Sequence, residues 1–351
     1  MANRVNRRTL IKGMVAGGAT AFGLGHWPAA QAASKRIVVG TWGGDYARLL
    51  TKNIEKPLLD PQGFDVVQDQ TSDAPRRSKM MAERRLPRGT SDVQALTASN
   101  LFEMNQNGAL LQLDYSKLPN AAHLMPIMKY PYGVGSIYSG MVIVYKPADV
   151  PNPPSSFKEL FNPVYGSKHG IIDIQYQFMF VAASLAATDG ASMTDYDKAK
   201  ELLMEVKKAG ARIYPSNESF AQALQSSEIS IGMMWKARMV QWQNAGIACE
   251  SVVASEGIPI YISGFAIPKN APNKEGAYAY LNASMDPSAQ RAFAIDMGYN
   301  PSVTNADIPA DVQKRIGFTP EEEKRLMDLP YASLAENDAA LKEWWDKVFK
   351  A

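Results

Sequence analysis

The stretch Ile37-Val38-Val39-Gly40-Thr41-Trp42-Gly43-Gly44-Asp45 decides how the rest of the chain is read. Its β-branched run predicts a short strand, and the paired glycines predict a tight turn after it. Asp45 stands where it can cap a helix over 46–54. The same order recurs downstream. Phe64-Asp65-Val66-Val67 predicts a second strand and runs into Thr71-Ser72-Asp73 with Pro75, a capping cluster with proline near the first helical turn. Asp92-Val93-Gln94-Ala95-Leu96 predicts a third strand, and Thr97-Ala98-Ser99-Asn100 opens another helix. Strands alternating with helices predict parallel α/β layers. Small hydroxyl residues at the strand ends stand where open α/β sheets take ligands.

Working outward, residues 138–145 read as a long apolar strand, and the proline-rich stretch 147–154 marks the edge of a second unit. That unit is again α/β, with strands over 170–174 and 229–235 and helices over 178–187, 196–209 and 238–245. The β-rich segment 258–267 could carry the chain back into the first unit. Thr319-Pro320-Glu321-Glu322-Glu323 has a cap, a proline at the first helical position and an acidic first turn. In the tail, Leu341, Trp344, Trp345, Val348 and Phe349 fall at helical spacing, the pattern of a helix that packs on a domain.

The N-terminal segment 1–33 reads as an export signal rather than as part of a fold. Arg4, Arg7, Arg8 and Lys12 lead a segment with no acid, an apolar Gly/Ala-rich run follows, and Ala30-Gln31-Ala32 offers small residues for cleavage near Ala32. Asn6-Arg7-Arg8-Thr9-Leu10-Ile11-Lys12 resembles a twin-arginine motif, departing from it at Asn6 and Leu10. The full chain has 37 basic and 35 acidic residues, and all four charges of the signal are positive, leaving 33 and 35, a net of −2. A near-neutral mature protein carries no electrostatic footprint for nucleic acid or an anionic membrane. Cys249 is the one cysteine, which excludes an internal disulfide and predicts a small buried hydrophobe.

Taken together, several pieces resemble the type II periplasmic solute-binding proteins, and within them the spermidine/putrescine-binding branch. They run from Gly40-Thr41-Trp42-Gly43-Gly44-Asp45-Tyr46 through Leu113-Asp114-Tyr115-Ser116 and Pro154-Ser155-Ser156-Phe157 to Gly232-Met233-Met234-Trp235. Glu256-Gly257, Ala266-Ile267-Pro268-Lys269 and Gly298-Tyr299-Asn300-Pro301 complete the order. The resemblance implies two α/β lobes closing on a ligand, with crossings near 138–144 and 259–266. Lobe one would then be 34–140 plus 265–305, lobe two 141–264, and 306–351 a set of C-terminal helices packed on the lobes. It implies a monomeric periplasmic capture subunit that delivers a small molecule to an ABC permease, with no catalysis, no cofactor and no metal.

The same resemblance implies a set of ligand-binding residues. Trp42, flanked by Thr41 and Gly43, and Trp235 would form aromatic walls, with Tyr299 a third. Thr97 and Ser99 stand at a strand end where the branch places a hydroxyl and an aromatic. Polyamine binders hold each ammonium with a carboxylate. Here Ser263 replaces an expected Asp, Tyr261 replaces a Trp, and Gln175-Tyr176-Gln177 stands where other acids belong, with only Asp173 near. Lys236 and Arg238 follow Trp235, and an arginine at a strand end can grip a carboxylate. The expectation is therefore a carboxylate or zwitterion, with a polyamine as the alternative. From other classes stand a secreted enzyme without a recognisable motif and a ferric-iron binder. Against these, no nucleophile elbow, phosphate loop, zinc motif or Tyr-Tyr pair is present. His123 and His169 read as surface or satisfied core residues.

Overall fold

The computed structural model describes residues 35–351, so the expected export signal lies outside the described residues. The opening strand is β1 (Arg36–Thr41), with Ile37 and Val39 fully buried. It turns at Trp42 and Gly43 into α1 (Gly44–Leu50), which widens into a π-helical stretch over Thr51–Leu59. Pro57, which has no N–H to donate, sits inside that stretch. The helix begins two residues earlier than expected: Gly43 is the N-cap, and Asp45 instead pairs with Arg48 on the exposed face.

Then follow β2 (Asp65–Gln70), α2 (Asp73–Glu83), β3 (Val93–Thr97) and α3 (Ala98–Gln106). Thr97 caps α3 by accepting from the Asn100 N–H, whereas Ser72 ahead of α2 makes no side-chain cap. A short β4 (Lys129–Tyr130) precedes β5 (Gly133–Tyr145), a strand of 13 residues buried at every position but the last. The second region holds α4 (Phe157–Leu160), β6 (His169–Ile172), α5 (Tyr176–Ala187) and α6 (Tyr196–Lys208). It continues with β7 (Arg212–Tyr214), α7 (Asn217–Gln225), β8 (Ile231–Trp235), α8 (Lys236–Asn244) and β9 (Glu250–Val252). The chain returns through β10 (Ile258–Ala266) and then α9 (Lys274–Ser284), α10 (Pro287–Met297) and β11 (Asn300–Pro301). It ends with α11 (Ala310–Ile316), α12 (Pro320–Glu323), β12 (Leu326–Met327) and α13 (Tyr331–Trp344).

The sheet order is β2-β1-β3-β10-β5-β8-β6-β7. β1 runs parallel to β2 and β3, and β6 parallel to β7 and β8. At the centre, β10 and β5 are antiparallel, from Ile260 opposite Gly140 to Phe265 opposite Val134. The C-terminal half of β5, from Met141 to Tyr145, changes partner and pairs with β8. Gly264 allows this close pairing, because a Cβ there would sit 2.0 Å from the Val134 carbonyl oxygen.

Burial divides into two hydrophobic clusters. One fills the β1-β2-β3 side and runs on to α7 and α8; the other packs α5, α6 and the tail against the opposite face of the second region. Trp235, Tyr261 and Tyr331 are only partly buried and pack against both. The tail buries Leu341, Trp345 and Phe349, but Val348 is exposed, because the chain leaves α-helical phase at Trp345. Trp345 Nε1 donates to Asp173 (2.7 Å), which also receives Lys350 (2.8 Å); Asp173 therefore anchors the tail. Cys249 is buried, and burial pushes its thiol up to about 11. His123 is exposed, whereas His169 is a core residue whose two ring nitrogens have no partner. No described helix is long and apolar enough to cross a membrane.

Candidate functional site

The C-terminal ends of β1, β3 and β8 and the middle of β10 converge where the two clusters meet. Ser263 on β10 stands opposite Thr97, the last residue of β3. Its hydroxyl faces those of Tyr46 and Tyr261 and completes no well-formed hydrogen bond. From there contacts run in two directions. The Tyr261 ring lies 4.8 Å from Trp235 and 6.1 Å from Tyr299, centre to centre. Tyr46 lies 5.3 Å from Trp42 in an edge-on pair, and the Arg76 guanidinium sits over the Trp42 ring at 5.2 Å. Five aromatic rings thus line one continuous surface.

Polar atoms on this surface lack partners. Thr41 Oγ1, Asp73 Oδ1, Arg76 Nη2, Trp235 Nε1, Arg238 Nε and Ser263 Oγ are all buried without a hydrogen bond. Buried polar groups normally find partners, so these six are the candidate contacts for a polar ligand. Three of them, Arg76 Nη2, Arg238 Nε and Trp235 Nε1, can only donate, and Asp73 Oδ1 can only accept as a carboxylate. The ring is richer in fixed donors than in fixed acceptors.

Electrostatics follow from burial. Desolvation raises Tyr46 to about 12, although the Ser263 hydroxyl and the Arg76 charge oppose it. Tyr261 and Tyr299 are raised mainly by burial; the Tyr299 and Tyr46 hydroxyls add to the shift at Tyr261, while the Arg238 charge lowers Tyr299. These phenols are neutral near pH 7. Arg76 is 2 % exposed, and its desolvation lowers its pKa. It is held by the Thr71 carbonyl (2.8 Å), Gln94 Oε1 (2.8 Å) and the Ala95 carbonyl (2.9 Å), leaving Nη2 buried without a partner.

Of the residues expected from sequence, Thr41, Trp42, Trp235, Arg238, Tyr261, Ser263 and Tyr299 come together here. Thr97 adjoins Ser263, but its hydroxyl is occupied in capping α3. Gly43 is exposed at the start of α1 and has no contact with the ring's polar atoms. Ser99, Tyr176 and Gln177 line a cavity of about 480 Å³ with Asp338 and with Arg77 and Asn100, both of which also donate to Asp73. Tyr176 and Gln177 both donate to Asp338 of α13, a partner from the far end of the sequence. Lys236 turns away from the ring, donating to the Gly317 carbonyl over the Phe318 ring. Sequence reading missed Tyr46, Asp73 and Arg76. Arg76 precedes the buried Met80 by four residues on α2, which puts both on one face.

No group of three His, Cys, Asp or Glu side chains able to hold a metal occurs among the described residues.

A family model described as bacterial extracellular solute-binding protein matches residues 63–320. The chain is similar to the spermidine/putrescine-binding periplasmic protein of Escherichia coli, 26% identical over 220 residues, or 60% of this chain and 63% of that protein's length. It is also similar to a gamma-aminobutyric acid-binding protein of Pseudomonas aeruginosa, 23% identical over 312 residues, covering 85% of this chain and 86% of that one. Among solved structures, an ABC transporter protein from Clostridium perfringens superposes with a TM-score of 0.78 at 20% identity, covering 89% of this chain and 99% of that one. The fold is thus the two-lobed α/β type of periplasmic binding proteins. With the match running over a stretch that takes in the ring from Asp73 to Tyr299, the chain belongs to the family of bacterial extracellular solute-binding proteins.

Proposed function

We propose that this protein is the periplasmic capture subunit of an ABC importer and closes its two lobes on a small organic carboxylate or zwitterion. It binds and releases this solute without chemical change and hands it to a permease in the inner membrane. The resemblance to polyamine-binding and gamma-aminobutyric acid-binding relatives supports the capture role. The observation that supports the choice of solute is the excess of fixed donors on the ring. A polyamine carries only ammonium donors. It would leave Arg76 Nη2, Arg238 Nε and Trp235 Nε1 unsatisfied and would face two guanidinium charges. A carboxylate supplies acceptors to both arginines, and the aromatic faces cover its carbon chain.

The site and the ligand class are tested together by a thermal-shift screen with organic acids, amino acids, polyamines and phosphonates. A ligand of the native state raises the melting temperature by mass action. Carboxylates and zwitterions are expected to do so, with Arg238→Ala weakening them at least about tenfold by calorimetry. Stabilisation by polyamines alone, or unchanged affinity in Arg238→Ala, overturns the assignment.

A further inference from the structure

Asp73 differs from the other ring residues in how its two carboxylate oxygens are used. Oδ2 is pinned from two sides, by Arg77 Nε at 2.8 Å and Asn100 Nδ2 at 2.9 Å. Oδ1 is buried and has no hydrogen-bond partner. Arg76 Nη2 is 3.9 Å away, too far for a hydrogen bond, and is itself unpartnered on a side chain 1 % exposed. A flexible Asp–Arg pair would close that gap. This one does not, because Arg76 is fixed by Thr71, Gln94 and Ala95, and Asp73 by Arg77 and Asn100. A fixed acceptor and a fixed donor therefore face one space side by side, and the Asp73 charge is close enough to Tyr261 to act on its hydroxyl.

Building on the carboxylate reading above, we infer that Asp73 is the ammonium acceptor of this site and sets its preference for zwitterions over plain carboxylates. The ligand's cationic nitrogen donates to Asp73 Oδ1 while its carboxylate accepts from Arg76 Nη2 and Arg238 Nε. A plain carboxylate would leave Oδ1 buried and unpaired, a cost close to that of losing a charged hydrogen bond. A polycation would satisfy Asp73 and be repelled by both arginines. Asp73 is a specificity residue and Arg76 its neighbour in the same recognition unit. Arg77 and Asn100 are positioning residues that aim it.

The test is calorimetry on the mature protein, freed of carried-over solute by unfolding and refolding. The probes are glycine, β-alanine, 4-aminobutyrate and 5-aminopentanoate, each beside the unsubstituted acid of the same chain length, with putrescine as the cationic control. At least one amino acid of the series should bind about tenfold or more tighter than its matched acid. Asp73→Asn, which keeps the shape and can still accept from Asn100, should bring that ratio to near one. The wild-type ratio stands on its own if Asp73→Asn fails to fold. Equal binding of acids and amino acids, or a ratio untouched in Asp73→Asn, overturns the role of Asp73 and leaves the carboxylate reading standing. Binding of putrescine alone, or of no acid and no amino acid, overturns both.

Discussion

Asp73 and Asp92 are both acids on the first side of the sheet, yet they are finished differently. Asp92 is 2 % exposed and accepts the Val38 N–H at 2.8 Å on one oxygen and the Asn273 N–H at 2.6 Å on the other. Every lone pair that burial demands is used, and the carboxylate ties β1 to the start of α9. Asp73 uses one oxygen in the same way and leaves the second with nothing. Asp92 is complete in the folded chain, whereas Asp73 keeps an acceptor without a partner. The contrast becomes a physical criterion for a site when several such incomplete groups gather, since a single one, as at His169, has none around it.

The largest effect expected from this contrast falls on the scaffold side. Asp92→Ala strips two buried backbone donors of their acceptor, each worth about 1–3 kcal/mol. A loss of about 3 kcal/mol should appear as a lower urea midpoint with an unchanged slope, and ligand affinity of the folded fraction should not move. A mutant as stable as the parent would break the comparison.

His169 sharpens it from the other side, because its two nitrogens are orphaned with no site around them. It is packed against Phe161, 5.9 Å between ring centres, and burial lowers its pKa to about 4. In the unfolded chain it takes up a proton near pH 6.5, in the folded protein only near 4. Its stabilising contribution is therefore present above pH 6.5 and is lost as pH falls from there toward 4, by about 1.4 kcal/mol per unit. His169→Phe should flatten that part of the pH–stability curve; an unchanged curve sinks the assignment.

On the site side, effects should appear in binding and not in folding. Trp235→Phe keeps an aromatic ring against Tyr261 but deletes the unpartnered Nε1. Affinity should fall about tenfold while the melting temperature of the ligand-free protein stays within a degree or two. The smallest effect belongs to Ser263→Ala, which removes a buried hydroxyl that completes no bond. Stability should change by less than about 0.5 kcal/mol, or rise slightly, and affinity should drop only a few-fold. A folding cost of about 2 kcal/mol, the size expected when a buried bonded group loses its partner, would make Ser263 scaffold.

The same contrast explains what the sequence disclosed. Strands ending in hydroxyls and aromatics are legible because Ile37, Val39, Val93, Ala95 and Leu96 are apolar where the strands are buried, and the residues after them stand out by kind. Trp42, Trp235, Tyr261 and Tyr299 were legible through the order of motifs. Asp73 and Arg76 were not, because Asp73-Ala74-Pro75-Arg76-Arg77 reads as an ordinary charged helix start. Nothing local says that Arg76 turns inward to the Ala95 carbonyl while Arg77 turns to Glu103. Tyr176 and Gln177 show the same limit. Their partner, Asp338, stands near the other end of the chain, and only tertiary packing of α13 reveals that contact. Val348 falls off the buried stripe because the α-helical period on which that stripe depends ends at Trp345.

The pairing of β3 with β10 has a consequence in time as well as in space. Thr97 meets Ser263 only after the whole second region has been made, so the edge of β3 waits unpaired while everything from Ala98 to Ile262 is synthesised. Contacts of such long sequence separation close slowly, and until they do Val93, Ala95 and Leu96 are open to wrong partners. The strand that carries Ser263 is thus also the closing stitch of the first sheet. The folding rate of the chain and the birth of its binding site should be one event, and a nascent chain stalled before β10 should display neither.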